Sequence, residues 1–354
     1  MKIKIITIHC IHNFGSVFQS YGLVKYLRNH GFDAEIIDYR PEYYKKGRNA
    51  IKRFLGIMLN YFSYYKQRKK YQTFINIYLP KGKLYKSLHE LKSIQTDDTI
   101  FIAGGDQIWN TFHACGRDDA YKLTFVKDCK KIAYGTSMGR NTFTEEELNE
   151  LSDKISDFFS IGLREQSTVT MLQPYLKIPV YHAADPVLLL DVCEYMQFIG
   201  EKRIIQEPYL VMYLAAKSDL LSKTVEYIAK KRGLKIVHVC GFKKKCKCDY
   251  FLKDIGPSEL LNLIYYSEFT VSASFHATLF SIIFHKNFCT LLPEAGTNTR
   301  IEDLLAYFQL SNRIIRDEKD LLITDNQINY SVIENKKIQF VDRSQKELLK
   351  AIKG

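Results

Sequence analysis

The sequence predicts an α/β protein built from two doubly wound domains, each a parallel sheet with helices on both faces. Three observations predict it. Short apolar runs alternate with longer amphipathic stretches along most of the 354 residues. The alternation comes in two series, broken near residues 186 to 205. Nearly every run of strand character ends in a polar turn, often with glycine, where ligands sit in sheets of this kind. An apolar content of 46% supplies two cores, and the length suits two domains.

The first series opens with Lys2 to Ile8, an apolar run that reads as a buried parallel strand. The turn His9-Cys10-Ile11-His12-Asn13-Phe14-Gly15-Ser16 leads into a helix from Val17 to His30, and Asp33 to Asp38 closes a βαβ unit. Backbone N–H groups at that helix start suit an anion, although the turn has neither a GxGxxG pattern nor a Walker lysine. Thr99 to Ala103 is the next strand, ending in Gly104-Gly105-Asp106. Lys131 to Tyr134 is another, running into Gly135 to Gly139. Thr144 starts a helix that reaches about Phe159, with Glu147 completing a capping box. Ser160 to Leu163 is a short strand ending at Arg164-Glu165. A helix from Ser167 to Leu172 and a strand from Val180 to His182 follow, before Ala183-Ala184-Asp185-Pro186.

The second series begins with a strand from Tyr209 to Leu214. Ser218 caps a helix ending at Arg232, and Gly233 stands where a C-terminal glycine belongs. Leu234 to Val239 is a strand, Lys243 to Lys247 a basic loop, and Pro257 opens a helix at its favoured first position. Phe269 to Ser272 is a strand, His276 to Phe284 a helix and Phe288 to Leu292 a strand. Ser331 to Lys353 reads as one amphipathic helix. The expected domains are residues 1–190 and 205–325, with helix 331–354 packing back on the first.

Composition narrows the function. No stretch reaches the roughly 18 apolar residues of a membrane span; Phe54 to Phe62 is about half that. Met1 to Ile8 is a strand rather than a signal peptide, so a cytoplasmic protein is expected. The eight cysteines are scattered, as reduced thiols are. Cys246 and Cys248 form a C-x-C pair with Cys240 upstream. No fourth ligand follows at zinc-finger spacing, so neither a metal nor a cofactor is expected.

The 51 basic and 39 acidic residues give a net charge of +12, which calls for an anionic partner. Nine cations gather between Lys45 and Lys70, interleaved with aromatics from Tyr43 to Tyr71. This segment, placed in the first domain, suits a basic amphipathic helix on an anionic membrane. The alternative is a solvated helix face whose aromatics pack inward. Nucleic acid is not expected, since no RRM, KH, zinc-finger or helix-turn-helix pattern appears.

Taken in order, the strand-end motifs resemble the polysaccharide pyruvyl transferase family over nearly the whole chain, from Ile3 to about Leu310. They are Thr7-Ile8 with His12 to Ser16, Ile37 to Pro41, Ala103 to Asn110, Ala133 to Gly139, Leu163 to Ser167, Ala184 to Val187, Ser274 to Thr278 and Asn298 to Glu302. The resemblance implies two Rossmann-like domains facing a cleft, as in GT-B glycosyltransferases. It implies transfer of the pyruvyl group of phosphoenolpyruvate to a sugar hydroxyl pair as a ketal, with no tightly bound metal. It further implies a role in surface polysaccharide biosynthesis, on an acceptor expected to be lipid-linked at the inner face of the membrane.

The chemistry explains the residue types. The donor carries a carboxylate and a phosphate, for which a guanidinium fork is the natural partner. Ketal formation needs a proton delivered to the methylene carbon and another removed from the attacking hydroxyl, which a histidine can do near neutral pH. By the resemblance, His276 is the general acid–base and Arg164 the anion-binding arginine. Some members carry arginine where this chain has Ser274, so Arg300 or the basic loop would supply that charge. His12, Asn13, Phe14, Gly15, Gly104, Gly105, Asp106, Trp109, Ser137, Glu165, Ser274, Phe275, Asn298 and Arg300 are the expected substrate contacts. Among these, Asp106 would accept from sugar hydroxyls and Trp109 would stack on a ring.

Each has a plainer reading: a core histidine, a salt-bridged arginine, a tight glycine turn, a core tryptophan. Asp185 reads first as a hinge or cap. Two rival functions stand beside the transferase. One is a glycosyltransferase using a nucleotide sugar, with Glu294 or Glu302 on the ribose. The other is a catalytically silent carbohydrate- or lipid-binding protein, for which the missing arginine at Ser274 would be the first symptom.

Overall fold

The computed structural model describes residues 1–44, 58, 60–213, 216–239, 241, 243–292 and 299–354. The chain divides into two compact units. The first is Met1–Arg48, Phe74–Leu190 and Lys337–Gly354; the second is Asn49–Thr73 and Asp191–Lys336.

The first unit is built on a seven-stranded parallel sheet: β1 (Lys2–Ile6), β2 (Asp33–Tyr39), β3 (Lys81–Tyr85), β4 (Thr99–Gly104), β5 (Lys131–Thr136), β6 (Ser160–Leu163) and β7 (Val180–His182). Their order is β3-β2-β1-β4-β5-β6-β7. β4 and β5 are buried at every residue, which is why they read as unbroken apolar runs rather than alternations. Helix α1 (Phe14–Asn29) starts three residues before the sequence suggests, because Asn13 caps it: its Oδ1 accepts from Ser16 N at 3.1 Å. Strand β3 escapes sequence reading, because its Lys-Gly-Lys-Leu-Tyr composition is that of a polar edge strand.

The second unit has a five-stranded parallel sheet: β8 (Tyr209–Tyr213), β9 (Lys235–Val239), β10 (Tyr250–Leu252), β11 (Phe269–Ser272) and β12 (Asn287–Thr290), in the order β10-β9-β8-β11-β12. Both sheets reverse their winding once, between β1 and β4 and between β8 and β11. Those reversals are where doubly wound sheets bind ligands, at the carboxyl ends of the strands.

The basic aromatic segment is divided. Tyr43 and Tyr44 lie with the first unit, where Tyr43 Oη and Tyr39 Oη both donate to Asp118 Oδ2, at 2.8 and 2.7 Å. Residues 45–57 and 59 lie outside the described residues. Helix α2 (Tyr61–Tyr78) belongs to the second unit as far as Thr73, which corrects the placement of this segment wholly in the first domain. It is held there by long-range polar contacts: Gln67 Nε2 donates to Ile255 O at 3.1 Å, and Lys70 pairs with Glu259 at 2.5 Å. From Phe74 onward it serves the first unit, where Phe74 meets Phe18 edge-on at 5.0 Å.

The remaining helices are α3 (Leu88–Leu91), α4 (Glu145–Ile155), α5 (Gln166–Leu172), α6 (Cys193–Ile199), α7 (Asp219–Arg232), α8 (Pro257–Tyr266), α9 (Phe275–Ile283), α10 (Thr299–Tyr307) and α11 (Tyr330–Lys353). From Lys337, α11 is part of the first unit. There Ser344 Oγ accepts from Ala184 N at 2.9 Å, and Phe340 lies 4.6 Å from the His182 ring.

Candidate active site

In the first unit the winding reversal brings the turn after β1 beside the turn after β4. Ser16 Oγ, in the first turn of α1, donates to Asp106 Oδ2 at 3.2 Å. Asp106 Oδ1 accepts from Arg164 Nη2 at 3.1 Å, and Arg164 Nη1 donates to Asp185 Oδ2 at 2.5 Å. Asp185 uses its other oxygen to cap the following turn, accepting from Val187 N at 2.9 Å. The Arg164 and Asp185 side chains are each 1% exposed, while Asp106 keeps 15%.

Burial works against the Arg164 charge. Asp185 and Asp106 outweigh it and hold its proton tighter than in water. Both terminal nitrogens of Arg164 are thus engaged by carboxylates of the protein itself, which it holds in place.

Glu165, fully buried, lies next to this triad. Ser137 Oγ donates to it at 2.5 Å and Met138 N at 3.3 Å, which ties the turn after β5 to the end of β6. The Glu165 carboxylate, expected at the substrate, here bonds within the protein to Ser137 and Met138. Asp106 is the partly exposed member of this carboxylate set.

Several other expected contacts are packing residues. Trp109 is 1% exposed, with Nε1 donating to Tyr121 O at 2.9 Å and its ring edge-on to Phe158, so no face is left for a sugar. Phe14 is fully buried against Phe18, and Gly15 is buried beside it. Gly105 has φ +88°, and a Cβ there would lie 1.9 Å from Gln19 Oε1; at Gly104 it would lie 2.9 Å from Leu23 Cδ2. These glycines let helix α1 approach the sheet closely. His12 and Asn13 stay half-buried at the start of α1, ahead of the turn that holds Ser16 on Asp106.

The second unit repeats the arrangement with different chemistry. Ser272 Oγ donates to Tyr213 O at 2.7 Å, joining the carboxyl ends of β11 and β8. It also accepts from Ser274 N at 2.9 Å, which fixes the turn into α9. Ser274 is the N-cap, with Oγ accepting from Ala277 N. Ser274, where the resemblance led to an expectation of arginine, therefore holds the helix start in place here. Phe275 and His276 fill the first turn of α9, ring on ring at 5.1 Å and nearly perpendicular, and both are buried.

Half-buried Arg300, in the first turn of α10, sets its guanidinium 5.7 Å from the centre of the Phe275 ring. A cation, a histidine and the N-terminus of a nine-residue helix thus share the carboxyl end of β11. Asn298 and Glu294 lie outside the described residues. Glu302 is half-exposed and paired with Arg316 at 3.3 Å.

Sequence reading gave two residues no role. Ser16 is marked only by its place at the end of the motif His12 to Ser16. Arg140 is sandwiched between Phe112 and Phe143, at 4.3 and 3.9 Å, and pairs with Glu147; it fastens the turns after β4 and β5 together. Among the described residues no three His, Cys, Asp or Glu side chains lie close enough to hold a metal ion.

Comparison with known proteins agrees with the fold. A search of curated proteins finds no match. Solved structures share the fold at low identity. A Listeria monocytogenes protein provisionally assigned as a UDP-N-acetylglucosamine 2-epimerase superposes with TM-score 0.57 at 10% identity, covering 96% of this chain and 90% of its own. A UDP-glucosyltransferase from Polygonum tinctorium gives 0.54 at 8% identity, over 100% and 98%. UDP-GlcNAc 2-epimerase from Neisseria meningitidis gives 0.54 at 12%, over 98% and 100%. The expected GT-B-like fold is therefore the fold found. The sequence model of one family, polysaccharide pyruvyl transferase, matches residues 13–293, most of the chain, and it is to this family that the protein belongs.

Proposed function

We propose that the protein transfers the pyruvyl group of phosphoenolpyruvate to two hydroxyls of a sugar acceptor in surface polysaccharide biosynthesis, with His276 as general acid–base. The observation that carries this reading is the grouping of His276, Arg300 and the α9 N-terminus at the carboxyl end of β11. A donor with two anionic groups matches the cation and the helix dipole there. Asp106, a partly exposed carboxylate, would accept from sugar hydroxyls.

The steps balance with one histidine. Protonated His276 gives its proton to the methylene carbon of phosphoenolpyruvate, and the adjacent carbon becomes electron-poor. The first sugar hydroxyl adds to that carbon, and His276 takes the proton it sheds. The bond to the phosphate oxygen then breaks. The second hydroxyl closes the ketal, and the departing phosphate carries away the second proton. Arg300 would hold the donor carboxylate or phosphate through these steps.

Phosphate release from phosphoenolpyruvate in the presence of candidate acceptors tests the reading. His276→Ala should lower turnover by roughly two to four orders of magnitude with little change in donor affinity. Arg300→Ala should instead raise KM for phosphoenolpyruvate. Near-normal turnover in the histidine variant would remove His276 from the mechanism. Binding of a nucleotide sugar, with phosphoenolpyruvate ignored, would point to a glycosyltransferase.

A further inference from the structure

We infer that the outward face of the first half of α2 is a docking surface for an anionic lipid bilayer. The helix has no acidic residue in 18. Its inner side is spoken for: Gln67 and Lys70 bond to Ile255 and Glu259, and Tyr71 is buried. The opposite side presents Tyr61, Phe62 and Tyr65, which are 57%, 79% and 56% exposed; Phe62 is the most exposed large apolar side chain among the described residues. The aromatics of this segment therefore do not all pack inward, which separates it from an ordinary solvated face.

Positions 62, 65, 66 and 69 form one stripe at helical spacing, flanked by 61 and 68. Lys66, Arg68 and Lys69 are exposed, and among the described residues none of them makes an ion pair. Aromatic rings in the middle of a face, with long cationic stems beside them, are the arrangement that settles at a headgroup boundary. The rings enter the acyl edge, while the cations reach back to the phosphates. No helix among the described residues is long and apolar enough to cross a membrane, so the attachment would lie on the surface.

Charge complementarity selects the occupant. A second copy of the chain, meeting this face through a two-fold axis, would set three cations against three cations. Single-stranded nucleic acid also likes cations and rings, but it is held in a groove that tracks its backbone, and this is an open helix ridge.

The test is co-sedimentation of the full-length protein, without substrates, with vesicles of phosphatidylcholine alone or mixed with phosphatidylglycerol. Because no donor or acceptor is present, the result stands or falls apart from the proposed activity. The protein should bind the mixed vesicles, not the neutral ones, and release as salt shortens the screening length from about 10 Å at 0.1 M to about 3 Å at 1 M. Each cation near such a surface is worth about fivefold, so replacing Lys66, Arg68 and Lys69 with Gln should cut partitioning on the order of a hundredfold.

Phe62→Ser with Tyr65→Ser should weaken binding while leaving its salt dependence. Both variants should melt with the parent, since the residues are exposed. Equal binding to neutral vesicles, or a triple variant that sediments like the parent, would overturn the inference. So would a parent dimer that the substitutions dissociate, or a preference for a single-stranded oligonucleotide over the vesicles.

Discussion

Arg164 carries its charge where water does not reach, and two carboxylates keep it there. Removing it leaves Asp106 and the fully buried Asp185 facing each other without a cation. Arg164→Ala should therefore cost about 3–5 kcal/mol of stability, read as a lower urea midpoint. Arg164→Lys should recover only part, because a point charge cannot span two carboxylates. Unchanged stability with a raised KM for phosphoenolpyruvate would instead support the anion-binding role expected of Arg164. His238, on β9, gives a pH prediction. Burial, helped by Lys245 and Lys244, pushes its imidazole down to about 4, against an ordinary value near 6.5. The unfolded chain binds that proton more readily, so the stabilisation is complete above pH 6.5 and is lost as pH falls toward 4. Its size is about 3 kcal/mol at most. Melting curves between pH 4 and 7 should show this slope, and His238→Phe, which keeps the stack on Phe251, should flatten it.

At the scale of the element, the local signals were the reliable ones. The Thr144–Glu147 capping box is present in both directions, Ser218 caps α7, and Gly233 ends it at φ +64°. Each is written within four residues of sequence. The start of α1 was less legible: a helix read from Val17 misses the Asn13 cap, which shows only in the formed turn. Asn13→Ala should cost about 1 kcal/mol, visible as a small fall in melting temperature. It should also loosen Ser16 from Asp106, so a larger fall in acceptor affinity than in stability is the expected pattern. Strand β3 carried no apolar alternation to read, because it is a polar edge strand, and β10, at three residues, is too short to show a period.

At the scale of the molecule, the chain does not divide at one boundary. It leaves the first unit before α2, returns at Phe74, leaves again at Asp191 and returns at Lys337. The sequence by itself determined the class, the two windings, most strand ends and the family, because those are recorded in local periodicity and in short ordered motifs. It marked His276 as a candidate through the ordered motif Ser274 to Thr278, one of those that carry the family resemblance. What it could not decide is what each polar or aromatic side chain meets. Arg164 meets Asp106 from 58 positions away, Trp109 finds its carbonyl only once the turn after β4 is folded, and α2 acquires an inside only by binding Glu259. Those choices belong to the tertiary structure, because charge pairing and burial depend on neighbours that are close in space and far apart in the chain.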